Sequence, residues 1–120
     1  MSFQQILDEL IERVPEALAA NFNDRDGEVI ATRSVHIPAD AMQMLAAYQT
    51  MVQRQLIKSV EGFDESNLEH VIFATGQHWV LMMGCAEECV LVLVMRRDGL
   101  LGRARFEAMR AAKLLNAELL

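Results

Sequence analysis

Three histidines, two cysteines and a few serines are the side chains of this 120-residue chain with the means to do chemistry. His36, His70 and His78 are scattered, and none has a partner at the spacing zinc ligands take. His70 and His78 could approach each other across a hairpin, although surface strand histidines are the simpler reading. Cys85 and Cys89 flank the acidic turn Ala86-Glu87-Glu88 and form no CxxC motif. We expect reduced, semi-buried thiols, which could lie near each other across that turn. Ser34, Ser59 and Ser66 lie in no GxSxG-like context. Cys89 with His78 is a thiol–imidazole pair only on sequence proximity, which is not geometry. Glu87 and Glu88 are adjacent, so in extended chain they point apart and make no acid/base pair. There is no GxxxxGK-S/T and no GxGxxG cradle for phosphate. Gly99 and Gly102, which flank Leu100-Leu101, read as a turn and a helix entry. Trp79 reads as a core strand residue, or as an interface anchor if exposed. The expectation is a chain with no catalytic group, no cofactor and no metal.

The elements that would position these residues are legible from periodicity and turn chemistry. Phe3, Ile6, Leu7, Leu10, Ile11 and Val14 recur at helical steps, which predicts a helix over Ser2 to Val14. Ser2 with Gln5 is a capping box at its start, and Pro15 blocks its continuation. Leu18 to Asn23 and Glu28 to Arg33 read as a hairpin closed by Asp24-Arg25-Asp26-Gly27. Pro38 suits the first position of a second helix running to about Val60, with Glu61-Gly62 as its stop. Leu68 to Thr75, His78 to Met83 and Cys89 to Met95 read as three more strands, with Gly76-Gln77 a tight turn between the first two. Their nearly continuous apolar character predicts a sheet covered on both faces. A last helix starts near Leu101 after the turn Arg97-Asp98-Gly99. It carries Leu101, Ala104, Ala108, Ala111, Ala112 and Leu115 on one face. The order αββαβββα makes an α+β fold, a five-stranded, mostly antiparallel sheet sandwiched by helices.

Bulk properties set the frame. A length of 120 residues fits one domain over residues 1–120, and 52% hydrophobic residues can fill a core without disulfide or metal. A formal net charge of −6 argues against nucleic acid or anionic lipid as a partner of the whole molecule. Charge is also uneven. Arg96, Arg97, Arg103, Arg105, Arg110 and Lys113 crowd the C-terminal part, while Asp8, Glu9, Glu12 and Glu16 crowd the first helix. Two solvated faces would explain this; a sharper expectation is that the two helices lie side by side with complementary charge. No secretory signal or bilayer-length apolar run is present, and cysteine usage fits a reducing cytosol. We therefore expect a cytoplasmic protein without direct membrane insertion.

The second helix carries more apolar surface than one face needs. Ala41, Leu45, Tyr48, Val52 and Leu56 form a stripe sufficient to cover a sheet. Met44, Ala47 and Met51 lie on one flank, and Met42, Ala46, Ile57 and Val60 on the other. Either the domain's own loops cover these flanks, or a second copy does, which predicts a two-fold homodimer.

With the elements in place, the chain resembles the roadblock/LC7 family. The resemblance rests on the element order, on the segment Ala19 to Ala31 with its Asp24-Arg25-Asp26-Gly27 hairpin followed by Val29-Ile30-Ala31, and on Gly99-Leu100-Leu101-Gly102-Arg103 leading into an Ala- and Arg-rich helix. It covers nearly the whole chain, and the initial helix resembles the bacterial, MglB-like members. The resemblance implies a roadblock/profilin-like fold and a dimer that joins two sheets edge to edge and packs the second helices together. Met44, Ala47, Met51, Leu68, His70 and Ile72 would then line the dimer interface. It further implies a Ras-like small GTPase as partner, since MglB-like proteins bind one and stimulate its hydrolysis. Gln43, Thr50, Arg54 and Lys58, on the polar side of the second helix, would be the contact, against the plainer reading of a solvated face. A dimeric scaffold of a signalling or motor complex is the alternative. A small-molecule sensor ranks below both, because dense Val/Leu/Met strands leave little room for a pocket.

Overall fold

The computed structural model describes residues 1–35, 37, 38, 41, 42, 55, 58 and 69–120. An N-terminal helix spans Phe3–Arg13 and a C-terminal helix spans Leu101–Leu119. Between them lie strands β1 (Ala17–Asn23), β2 (Val29–Ser34), β3 (His70–Ala74), β4 (His78–Gly84) and β5 (Val90–Arg96). A 3-10 turn over Ala86–Glu88 links β4 to β5. Each element lies within a few residues of its predicted span. The second helix lies mostly outside the described residues; Ala41, Met42, Gln55 and Lys58 are helical.

The N-terminal helix starts as its sequence dictates. Ser2 Oγ accepts from the Gln5 amide at 3.1 Å, and Gln5 Oε1 accepts from the Ser2 amide at 2.8 Å. In the β1–β2 turn Gly27 takes a φ of 85°, which an L side chain resists. Asp24 Oδ1 closes the same turn by accepting from the amides of Asp26 and Glu28.

The sheet is antiparallel throughout, in the order β2-β1-β5-β4-β3. β5 is central, and its residues Val90 to Met95 are all buried. Alternation divides the strands between two apolar layers. Ala20, Phe22, Leu81, Met83, Leu91, Leu93 and Met95 meet Ile6, Leu7, Leu10, Ala104, Ala108 and Leu115 of the two helices. Val80, Met82, Val90, Val92 and Val94 face the other way, with Ile37 and Phe73 packed beside them. Burial on both sides is what the unbroken apolar strands predict.

Met42 shows which side of its segment meets this second layer. It is 1% exposed, and its carbonyl accepts from Asn21 Nδ2 at 3.0 Å. Ala41 is exposed. This corrects the helical-wheel reading, which gave the sheet-facing stripe to Ala41 and placed Met42 on a flank. A hydrogen bond from a buried strand asparagine fixes the rotation, and an apolar pattern cannot reveal such a bond.

The alanines of the C-terminal helix let it lie close to the sheet. Gly99, just before it, is needed for close approach. A Cβ there would stand 2.6 Å from Met95 Cε and 2.7 Å from Glu16 Cβ.

The two helices also share a charged seam, as their sequences predicted. Glu9 Oε1 lies 2.8 Å from Arg13 Nε and 3.4 Å from Arg110 Nη2. Glu107 Oε2 lies 3.6 Å from Arg110 Nη1, and its Oε1 lies 4.0 Å from Arg13 Nη1. Partly exposed pairs of this kind contribute about 0–1 kcal/mol each, so the seam sets register more than stability.

Candidate functional site

Among the described residues, chemistry-bearing side chains do not converge. Among the described residues no group of three His, Cys, Asp or Glu is placed to hold a metal ion. His70 pairs with Met83 and His78 with Arg96, so the two histidines stand at opposite ends of β4. The possibility that they meet across the hairpin is thereby removed: the turn joins Ala74 to Trp79, and His70 lies at the far end of its strand.

The cysteines are close to each other. The Cys85 amide donates to the Cys89 carbonyl at 2.8 Å, closing the turn between β4 and β5. Within it Glu87 and Glu88 take φ of 62° and 59°, a left-handed conformation disfavoured for side chains of this size. Asn116 Oδ1 holds the turn by accepting from the Ala86 amide at 2.7 Å. Both thiols are free. Burial pushes the Cys85 thiol up to about 12, with Cys89 nearby adding to the shift. Burial raises Cys89 too, helped by Asp24 and Glu87. Both shifts favour the protonated thiol, the weaker nucleophile.

Trp79 sits half-buried at the margin of the helix-covered layer. The Arg97 guanidinium lies over its ring at 4.3 Å and donates through Nη1 to the Thr75 carbonyl at 2.6 Å. This stacked pair was not foreseen: 18 residues separate the partners, and only the β4–β5 pairing brings them together.

Among the described residues, the fold does present an open sheet edge. β3 ends the sheet, and His70, Val71, Ile72 and Phe73 are each half-buried. The Gly84 amide donates to Glu69 and the Thr75 amide to His78, so odd-numbered β3 residues exchange hydrogen bonds with β4. By the alternation of an antiparallel ladder, the peptide groups of His70, Ile72 and Ala74 point out of the sheet. Ile72 also packs its side chain partly into the helix-covered layer, whereas Phe73 packs into the other. The opposite edge is blunted. There the outward carbonyl of Thr32 on β2 accepts from Gln4 Nε2 at 2.9 Å. Unpaired strand edges invite pairing with another chain, and here β3 is the edge offered.

Of the residues expected to bind partners, His70 and Ile72 therefore lie on the open edge strand. Lys58 is helical and exposed. Met44, Ala47, Met51 and Leu68, expected at the dimer interface, lie outside the described residues, as do Gln43, Thr50 and Arg54.

No protein-family model matches the sequence, and no curated protein matches it. Solved structures do match. A roadblock/LC7 domain from Streptomyces avermitilis superposes with a TM-score of 0.88 at 15% identity, covering 97% of this chain and 96% of that one. MglB from Myxococcus xanthus superposes with a TM-score of 0.89 at 16% identity, covering 98% and 94%. Profilin II from Acanthamoeba castellanii matches more loosely, with a TM-score of 0.69 at 16% identity over 99% and 100%. The element order, the sheet and these superpositions agree: the chain has the fold of the roadblock/LC7 domains.

Proposed function

We propose that this chain is a cytoplasmic, non-enzymatic roadblock/LC7 protein, a single domain that forms a homodimer and regulates a Ras-like small GTPase. The observation that carries this reading is the near-complete superposition on MglB. It is supported by the open β3 edge, which suits sheet-to-sheet joining, and by two thiols that burial keeps protonated. No helix among the described residues is long and apolar enough to cross a membrane, which is compatible with a regulator working in solution. A protein of this kind speeds hydrolysis without chemistry of its own, by holding the GTPase's switch loops and catalytic groups in productive geometry. The dimer would join through β3 and the second helix. Gln43, Thr50, Arg54 and Lys58 are the residues proposed to meet the GTPase.

The test is a pull-down from source lysate with the purified protein as bait, run once with a non-hydrolysable GTP analogue and once with GDP. A small GTPase recovered in the GTP state alone, its single-turnover hydrolysis accelerated by the bait, is the expected result. Partners recovered equally in both states would replace this reading with that of a dimeric scaffold.

A further inference from the structure

The outward face of the C-terminal helix has a composition its packing does not require. Its inner face is spent on the core through Ala104, Ala108, Ala111, Ala112 and Leu115. At about 100° per residue, Gly102, Phe106, Met109 and Lys113 fall together on the opposite side. Phe106 is 66% exposed and Met109 38% exposed, and Leu100 at the helix start is 67% exposed. A Cβ at Gly102 would meet nothing within 4 Å, so among the described residues none packs over that end of the stripe. Arg103 and Arg105 flank the stripe. Among the described residues Arg103, Arg105 and Lys113 have no ion-pair partner, in contrast to Arg110, which is held by Glu9 and Glu107. From Leu100 to Lys113 the stripe runs about 20 Å.

A bulky aromatic and a methionine among unpaired cations, on a chain of net charge −6, are a locally inverted surface. We propose that this face is a docking site for an acidic amphipathic helix of a partner protein, its apolar side chains on Phe106 and Met109 and its carboxylates on Arg103, Arg105 and Lys113. Charge decides the class of partner. The neighbouring N-terminal helix exposes Glu12 and partly exposes Asp8 and Glu9. A flat anionic membrane broad enough to touch both helices would meet those carboxylates, whereas a single helix laid along the stripe meets cations. The site lies on the opposite face of the sheet from Met42 and does not depend on the GTPase reading.

The test uses the full chain and a labelled 18-residue peptide with leucines on one helical face and glutamates elsewhere. Its companions are a version with lysine in place of glutamate, and phosphatidylserine-containing vesicles. Saturable binding of the acidic peptide is expected, weakened at least tenfold by Phe106→Ala and by combined Arg103→Glu, Arg105→Glu and Lys113→Glu. These positions are exposed, so melting temperatures should stay close to that of the parent. Absence of saturable binding, or equal binding by the charge-reversed variant, would overturn the proposal. So would equal binding of the lysine peptide, or vesicle recruitment that the substitutions abolish while peptide binding persists. A fall in oligomeric mass on charge reversal would likewise overturn it, by giving the face to a second copy of the chain.

Discussion

Cys85 shows how burial decides what a reactive residue type becomes. Its thiol, pushed up to about 12, stays protonated across the physiological range. In the unfolded chain it titrates near its ordinary value of 9.0. Below that pH both states hold the proton and stability is unaffected. Between the two values the unfolded state loses its proton first, so stability falls as pH rises through that window. The denaturant midpoint should therefore decline above pH 9, and Cys85→Ala should flatten the decline. A parent and variant with parallel pH profiles would show that the thiol is not the group responsible. Asn21 and Asn23 make the same point for polar groups. Both are buried on β1, and of their side-chain polar atoms only Asn21 Nδ2 has a hydrogen bond among the described residues.

At the scale of elements, local chemistry explains most starts and stops. The capping box at Ser2 satisfies one free amide of the N-terminal helix and, through Gln5, the cap's own. Ser2→Ala should cost about 0.5–2 kcal/mol. Chemical denaturation measures this directly, and Ser2→Asp should restore most of the loss, because the carboxylate can accept the same bond. Where local chemistry falls short, tertiary contact is the reason. Gly99 reads as an ordinary turn glycine, yet its φ is not in the left-handed region and its role is the close approach of Glu16 and Met95. Phe106 falls off the apolar stripe of its helix, and solvent exposure shows that no other described element covers it.

For the whole molecule, the two described sheet edges differ in how much pairing surface they offer. Gln4 caps an outward carbonyl on β2, while β3 presents outward peptide groups at His70, Ile72 and Ala74. If dimers form by pairing β3 strands, Ile72→Pro removes an outward donor without breaking a bond to β4, and an edge strand tolerates that change. The parent should sediment as a dimer of 13.5 kDa chains and the variant as a monomer, with Ile72→Val as the unaffected control. A monomeric parent, or a dimeric Ile72→Pro chain, would eliminate β3 pairing as the joint.

The sequence by itself determined the described elements, their order and the burial of the central strands on both faces. Helix stripes, capping, hairpin turns and continuous apolar strands are local signals, and each follows from a few consecutive residues such as Ser2 to Gln5 or Asp24 to Gly27. It also showed that Glu9 and Arg110 belong to helices of complementary charge. The candidate site was only half legible: the resemblance to the roadblock/LC7 family nominated His70 and Ile72, but that β3 ends the described sheet follows from the order β2-β1-β5-β4-β3. Tertiary structure alone decided that His70 and His78 lie apart, that Arg97 covers Trp79, that Met42 rather than Ala41 turns inward, and that Phe106 is exposed. Each of these depends on pairing between segments distant in the chain, and an edge, a stack or an uncovered face exists only after the strands have chosen their neighbours.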